Sequence, residues 1–103
     1  MKFVVLLFHN KTAMNLQEIF TARLKDARKR RNMSQEALGI AIGLDESVAS
    51  TRINRYEKGI HQPDFITLAK IAEVLQVPPA YLLADDNLAA WLLAHCAEDE
   101  KVE

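Results

Sequence analysis

Apolar positions from Asn15 onward recur every three or four residues, which is the spacing of an amphipathic helix. The first apolar stripe consists of Leu16, Ile19, Phe20, Leu24 and Ala27. Asn15, with Glu18 three residues later, forms a capping-box pattern ahead of this stripe. Asn32 is a residue type that tolerates the left-handed conformation at the end of a helix. We therefore predict a first helix from Leu16 to about Arg31.

Start and stop signals place two shorter helices after the first. Ser34 is a typical N-cap residue, and Gly43 ends the second helix that it begins. The stretch "ESVASTRINRYE", residues 46–57, forms the third helix, which Gly59 closes. Its residues separate into an apolar side and a polar side, and the polar side is suited either to solvent or to another molecule.

The remaining chain adds three more predicted helices. Asp64, after Pro63, begins a fourth helix. The apolar positions of this helix are Phe65, Leu68, Ile71, Ala72 and Leu75. "VPPAYLL" begins a short fifth helix, because proline fits a first helical turn. Asp85 or Asp86 caps a sixth, "NLAAWLLAHCAE", ahead of a charged end. No stretch after residue 15 alternates with period two, so the predicted fold class is all-α.

Residues 1–13 do not fit the helical pattern. "FVVLLF", residues 3–8, has strong strand propensity, yet the rest of the chain offers no second strand. Two interpretations stay open: a flexible leader or an upstream start codon with Met14 as the usual first residue, or a strand that pairs with its copy in a dimer. The predicted division is an extension at 1–13, a domain at 14–84, and a C-terminal helix with an acidic tail at 85–103.

Charge is distributed unevenly along this 103-residue chain, although its net charge is only -1. Residues 1–70 carry 12 Lys/Arg and 7 Asp/Glu, whereas residues 71–103 carry 1 and 7. Half of the residues are apolar and only three are glycine, which favours one folded domain over a disordered chain. The charge asymmetry suggests a basic working face and an acidic tail.

The sequence argues against export, membrane insertion and catalysis. Cys96 is the only cysteine, which excludes an internal disulfide and favours the cytoplasm. The apolar run at 3–8 is too short for a signal-peptide core or a membrane span. His95 and Cys96 are adjacent on a helix and point about 100° apart, and there is no metal-ligand spacing, nucleophile elbow or glycine-rich phosphate loop. We expect a protein without enzymatic activity, cofactor or metal.

Two short helices joined by a glycine turn describe a helix-turn-helix. "RLKDARKRRNMSQEALGIAIGL" followed by "INRYEKGIHQPDFITLAKIAEVLQVPPAYLL" resembles the phage-repressor/Cro-type helix-turn-helix family, also called Xre-like. The resemblance covers roughly residues 16–83. "MSQ", "INRYEKG", the Pro-Asp pair at 63–64 and "LAKIAEVLQV" form a specific signature only when they occur together.

The resemblance implies a compact five-helix domain that binds double-stranded DNA. Its second helix would lie across the DNA backbone and its third would enter the major groove. The candidate base contacts are Ser50, Thr51, Asn54 and Arg55, of which Arg55 suits a bidentate contact to guanine. The candidate phosphate contacts are Ser34, Gln35, Arg30, Arg31, Lys58 and His61. For the cluster at 29–31, a solvated helix end that complements its own dipole stays an alternative.

Two structural roles also follow from the resemblance. Arg28 matches a family position whose arginine pairs with a glutamate, here Glu57, and this ion pair would tie the first helix to the end of the third. Gly39 stands where the family prefers a small residue, which would let the second and third helices approach closely.

One departure from the family concerns the spacing before the third helix. Nine residues separate Gly43 from Ile53, about four more than is common in the family, or roughly one helical turn. Either the third helix begins one turn earlier with Asp45 as its cap, or the turn bulges away from DNA. Ile40, where a polar residue is common, is expected to pack under the added residues.

One short helix offers too few contacts for tight, specific binding to DNA, so we expect two copies to bind neighbouring half-sites. The candidate dimer surface is Tyr81, Leu82, Leu88, Trp91 and Leu92; alternatively Trp91 and Leu92 fold onto their own core. We predict a transcriptional regulator that acts as a dimeric repressor on a two-fold-symmetric operator. The alternative is an antitoxin-type interaction module whose main partner is another protein, such as a toxin.

Overall fold

The computed structural model describes residues 15–102, with side chains described for residues 15–95. The interpretations of residues 1–13 lie outside this range. The helices are α1 (Leu16–Arg30), α2 (Gln35–Ala41), α3 (Glu46–Glu57), α4 (Phe65–Leu75), a 3₁₀ helix (Pro79–Leu83) and α5 (Asp86–Val102). Residues 15–102 contain no strand, so the predicted all-α class is confirmed. None of these helices combines the length and apolarity needed to cross a bilayer.

The ends of α1 follow the capping signals in the sequence. The Glu18 backbone N–H donates to Asn15 Oδ1 at 2.8 Å, and the Asn15 N–H donates to Glu18 Oε1 at 3.2 Å. Asn32 adopts a φ of 56° two residues after the last helical residue. The predicted capping box and left-handed stop are therefore confirmed.

Hydroxyl and carboxylate caps begin the next two helices. Ser34 Oγ accepts a hydrogen bond from the Ala37 N–H at 2.9 Å, and Asp45 Oδ2 accepts one from the Ser47 N–H at 2.9 Å. Asp45 is thus the N-cap of α3. The added residues lengthen α3 at its N-terminus, which is the first of the two alternatives for the insertion.

The core forms where α1, α4 and the 3₁₀ helix meet beneath the α2–α3 pair. Its largest fully buried side chains are Tyr81, Leu24, Leu38, Ile53, Ile71, Leu75 and Leu82. The 3₁₀ helix packs against α1, α4 and α5, and its central residues Tyr81 and Leu82 enter the interior. Tyr81 and Leu82 are 1% and 0% exposed, and their assignment to a dimer surface is therefore wrong.

Two apolar side chains expected inside lie at the surface. Phe65 is 85% exposed, because it is the first residue of α4 and stands at the edge of the core. Ile40 is 46% exposed, since the added residues extend α3 lengthwise and do not cover α2. Both positions correct the sequence prediction.

The C-terminal helix α5 is longer than predicted. Asp85 caps it by accepting the Leu88 N–H at 2.9 Å, and the helix continues through the charged residues to Val102, with no glycine or proline to end it. Leu88 and Trp91 are about half exposed, whereas Leu92 is half-buried and packs on the core.

The carboxylate cap of α4 makes the stability of the protein depend on pH in the acidic range. Asp64 Oδ1 accepts the Thr67 N–H at 2.7 Å, and this hydrogen bond lowers the pKa of Asp64 below its ordinary 3.8. A carboxylate whose pKa is lowered in the folded state adds to the free energy of unfolding. This contribution is fully present above about pH 4 and is lost as the pH falls through the folded-state pKa.

We expect Asp64→Ala to destabilise the protein at pH 7 and to lose this effect progressively as the pH falls from about 4 toward 2. Urea unfolding of wild type and variant at pH 7 and near pH 2 measures the difference. Ser34→Ala is the matched control, because its hydroxyl cap does not titrate and should cost about 1 kcal/mol at either pH. An equal effect of Asp64→Ala at both pH values would contradict the expectation.

Candidate nucleic-acid interface

The position of α3 is set by its close approach to α2. A Cβ added at Gly39 would stand 2.6 Å from Ala49 Cβ and 2.7 Å from the Ala49 carbonyl oxygen. These distances leave room for a hydrogen atom only. The two helices of the helix-turn-helix are therefore in backbone contact at this point, as the resemblance implied for Gly39.

Burial divides α3 into two faces. Ala49, Ile53 and Tyr56 are buried against the core. The exposed polar side chains of α3 and its C-cap are Glu46, Ser47, Ser50, Thr51, Arg52, Arg55 and Lys58. Beyond the carboxylate of the first residue, Glu46, the exposed face offers hydroxyl, guanidinium and ammonium groups, which include both donors and acceptors of hydrogen bonds.

A largely buried ion pair fixes the C-terminal end of α3. Arg28 Nε and Nη2 donate to the two carboxylate oxygens of Glu57 at 2.5 and 3.1 Å. The two side chains are only 11% and 5% exposed. Arg28 Nη1 also donates to the Met33 carbonyl oxygen at 2.9 Å. The bidentate pair therefore joins α1, the α1–α2 turn and α3.

Gln35 extends this network to the exposed face. Its Nε2 group donates to Glu57 Oε1 at 3.1 Å and to Asn54 Oδ1 at 3.3 Å. The side-chain N–H₂ group of Gln35 is thereby engaged within the protein, whereas the resemblance had implied that Gln35 contacts phosphate. Asn54 is half-buried and its carbonyl oxygen accepts from Gln35, so its N–H₂ group keeps the donor role toward a ligand.

The loop after α3 is held close to Arg55. The Arg55 carbonyl oxygen accepts the N–H groups of Ile60 and His61 at 2.9 and 3.3 Å. His61 Nε2 lies 3.5 Å from Arg55 Nη1. Gln17 of α1 supports the loop from behind, donating to the Gly59 carbonyl oxygen and accepting from Gln62 at 2.8 Å.

Arg52 is a functional candidate that the sequence analysis missed. A groove of about 240 Å³ beside α3 is lined by Arg52, Arg55, Tyr56, His61 and Gln62. Two guanidinium groups and an imidazole on one small concave surface suit a single phosphate group. The spacing of Arg52 and Arg55, three residues apart on a helix, is the signal that indicates this cluster.

Arg30 lies apart from this surface. It pairs with Asp26 at 3.0 Å and lines a different groove, beside Tyr81 and Asp86. Burial raises the pKa of Asp26, but the hydrogen bonds from Arg30 and Tyr81 outweigh it and hold the value below 3.8. Because Arg28 points to α3 and Arg30 follows it by about 200° around α1, Arg30 faces away from α3. The structure does not bring Arg30 together with the other predicted phosphate contacts.

Comparison with known proteins agrees with this geometry. A family model described as "Helix-turn-helix" matches residues 24–82. The crystal structure of the transcriptional regulator BswR matches with a TM-score of 0.74 and 44% identity, covering 79% of this chain and 84% of that one.

Two curated sequences are also similar. The HTH-type transcriptional regulator y4aM of Sinorhizobium fredii is 36% identical over 72 residues, which is 69% of this chain and 48% of that protein. The cryptic phage CTXphi transcriptional repressor RstR of Vibrio cholerae is 35% identical over 71 residues, covering 67% and 59%. The chain spans about half the length of these curated relatives.

Proposed function

Since this chain belongs to the helix-turn-helix family, we propose that it is a DNA-binding transcriptional regulator that represses by inserting α3 into the major groove. The observation that carries the proposal is the exposed polar face of α3, held by the Gly39 contact at one side and by the Arg28–Glu57 pair at the other. Two of the similar proteins are named transcriptional regulators and one a transcriptional repressor.

The position of each side chain on α3 suggests its role. Thr51 and Arg55 are exposed on the polar face of α3 and suit base edges, with Arg55 bidentate to guanine. Ser50 and Asn54 lie on the flank of this face, and Asn54 contributes N–H donors. Arg52 is proposed to contact phosphate across the groove that it shares with Arg55.

Further phosphate contacts flank α3 on both sides. Lys58 and His61 follow it, while Ser34 stands at the N-terminus of α2, where unpaired backbone N–H groups favour an anion. Arg31 is an exposed C-cap residue of α1 and stays a candidate. These groups would fix the orientation of the domain on DNA and would carry no sequence information.

We further propose that two copies bind neighbouring half-sites. Of the candidate dimer residues, Leu88 and Trp91 are exposed apolar side chains on α5, and Leu92 is half-buried beside them. Trp91 stacks on His95 with ring centroids 3.9 Å apart, which gives this part of α5 a flat surface. A pair of half-sites about one DNA turn apart is the expected operator form.

Selection of binding sites from a random duplex library tests the function, with Arg55→Ala run in parallel. Wild type should enrich a two-fold-symmetric site, and Arg55→Ala should lose roughly 1–3 kcal/mol of discrimination at one base pair. Lys70→Ala, which removes an exposed charge from α4, is the control and should select the wild-type site.

No enrichment by folded wild type would favour the alternative of an interaction module whose main partner is another protein, which stays a prediction. Co-purification with a toxin would identify an antitoxin that also binds its own promoter. An equal loss of affinity for selected and random DNA in Arg55→Ala would contradict the base contact and leave Arg55 as a phosphate contact.

Arg52→Ala is expected to weaken binding to all DNA sequences alike and to reduce the slope of log K against log salt by about one unit. Titrations of selected and random duplexes at several salt concentrations measure both effects. Arg30→Ala removes the same charge from the face of α1 turned away from α3 and should leave the slope nearly unchanged. Equal slopes for the two variants would exclude Arg52 as a phosphate contact.

A further inference from the structure

A second apolar surface lies at the start of α1 and shares Gln62 with the groove of Arg52 and Arg55. Its walls come from α1, the loop before α4, α4 itself and the 3₁₀ helix. The apolar side chains that line it are Leu16, Phe20, Pro63, Phe65, Leu68 and Leu83. We name this surface the Phe65 groove. Its volume is about 240 Å³, the space of about eight water molecules.

Several apolar side chains that line the Phe65 groove are exposed to solvent. Phe65 is 85% exposed, Leu16 62% and Leu83 40%. Gln62 is the one polar side chain in the lining, and it is tied to Gln17 by a 2.8 Å hydrogen bond. The groove is thus apolar and open, which is typical of a surface that another apolar group covers.

The chain itself supplies an apolar segment next to this groove. Leu16, one of the lining residues, is the first residue of α1, so the residues that precede α1 enter the fold at the rim of the groove. Residues 3–8, "FVVLLF", are six apolar residues in succession, and the DNA-binding function does not use them. We propose that residues 3–8 fold back and cover the Phe65 groove of their own chain.

The length of chain between the segment and α1 permits this contact. Seven residues, 9–15, separate Phe8 from Leu16 and span at most about 25 Å when extended. Because the target includes Leu16 itself, only part of that reach is required. An extended segment presents alternate residues to one side, so one face of residues 3–8 supplies two or three apolar side chains. The groove volume accommodates side chains of that number and not a whole helix.

Attachment favours the segment of the same chain over a second copy. A short tether gives an effective concentration in the mM range, so a contact too weak to join two molecules is still formed within one. The groove is also small in comparison with a stable dimer interface, which buries about 800 Å² on each partner. We therefore assign the groove to the protein's own residues 3–8.

Disulfide trapping in the full-length chain tests the proposal. Cys96→Ser provides a background without other thiols, and Leu83→Cys is combined with either Val5→Cys or Leu6→Cys, one for each side of the segment. Mild oxidation of dilute protein should form a disulfide within one chain in at least one of the two variants. The matched control pairs the same segment cysteines with Val48→Cys, a 41% exposed position on α3. Disulfide formation in the control should be at least about tenfold slower, because docking in the groove raises the effective concentration of the segment near position 83 and not near position 48.

Every other outcome of the trapping overturns the assignment. Disulfide-linked dimers would show that residues 3–8 of a second copy occupy the groove. Equal rates of disulfide formation at positions 83 and 48 would show that the segment has no preferred contact. Failure of both pairs to react would place residues 3–8 elsewhere.

Proteolysis provides an independent measurement without new thiols. Phe65→Ser should speed chymotryptic cleavage within residues 3–8 by about tenfold, because cleavage follows the population of the undocked segment. Ile66→Ser removes a 70% exposed neighbour that does not line the groove and should change the rate by less than about twofold. Circular dichroism shows whether both variants are folded. Equal cleavage of Phe65→Ser and wild type would overturn the proposal.

Discussion

Glu57→Ala is expected to lower the free energy of unfolding by about 3–5 kcal/mol, which is a large part of the stability of a domain of this size. The Arg28 side chain is only 11% exposed in the native protein, and the substitution leaves its guanidinium with the Met33 carbonyl oxygen as its one hydrogen-bond partner. It also removes the acceptor of one Gln35 hydrogen bond. A charge that is withheld from water and has lost its counterion accounts for the size of the effect.

Chemical denaturation of wild type, Arg28→Ala, Glu57→Ala and the double variant measures this effect. The double variant should be more stable than the sum of the single losses predicts, because it leaves neither charge buried alone. Arg30→Ala is the matched control, since Arg30 and Asp26 form an ion pair that is 58% and 49% exposed. It should cost less than about 1 kcal/mol. A loss for Glu57→Ala no larger than that of the control would mean that water screens the Arg28–Glu57 pair.

Gly39→Ala is expected to destabilise the protein by about 1–3 kcal/mol or more, although alanine is normally the better helix former by about 1 kcal/mol. The new Cβ would stand within 2.8 Å of three Ala49 atoms, two of which belong to the backbone. The strain therefore has to move α3 relative to α2. Because α3 carries the proposed base contacts, the same variant should also lose affinity for the selected DNA site.

A second substitution tests whether the clash causes the loss. Ala49→Gly removes the Cβ atom that is 2.6 Å from the new methyl group but leaves the backbone contacts at 2.7 and 2.8 Å. Gly39→Ala with Ala49→Gly should therefore recover only part of the stability lost in Gly39→Ala. Unfolding of the three variants by urea gives the comparison. Stabilisation by Gly39→Ala alone would show that the helices separate at little cost.

The helix boundaries were predictable because they depend on local chemistry. The capping box at Asn15, the hydroxyl of Ser34 and the carboxylate of Asp64 each satisfy backbone N–H groups within three residues of their own position. Such contacts are encoded in neighbouring residues, so the sequence alone identifies them. The end of α5 was missed because its charged residues include good helix formers without a terminating glycine or proline.

Burial was less predictable because it depends on which elements meet. Phe65 fits the apolar stripe of α4 by spacing, yet it stands at the edge of the core, while Tyr81 and Leu82 enter it through the 3₁₀ helix. Periodicity assigns a residue to a face of its helix but does not show where that face ends. The same limit applies to Arg30, which sequence proximity had grouped with Arg31 and the DNA-facing residues.

The candidate site shows a similar division. The resemblance anticipated the Arg28–Glu57 pair and the small residue at Gly39, because both belong to the quoted motif. The hydrogen bonds of Gln35 and the groove shared by Arg52 and His61 depend on distances between helices and loops. No periodicity in the sequence encodes these distances. The base and phosphate contacts stay predictions for the selection experiment.

Hydrogen bonds connect Arg28 through Glu57 and Gln35 to Asn54. Residues of the proposed DNA surface that belong to this network are therefore less free to be substituted during evolution than those outside it. A change at Asn54 disturbs a network on which folding depends, so new operator preferences that begin there carry a stability cost. Thr51 and Arg55 are exposed and lie outside this network. A regulator that diverges toward a new operator would therefore accumulate its substitutions at these two positions first, while Asn54 stays fixed.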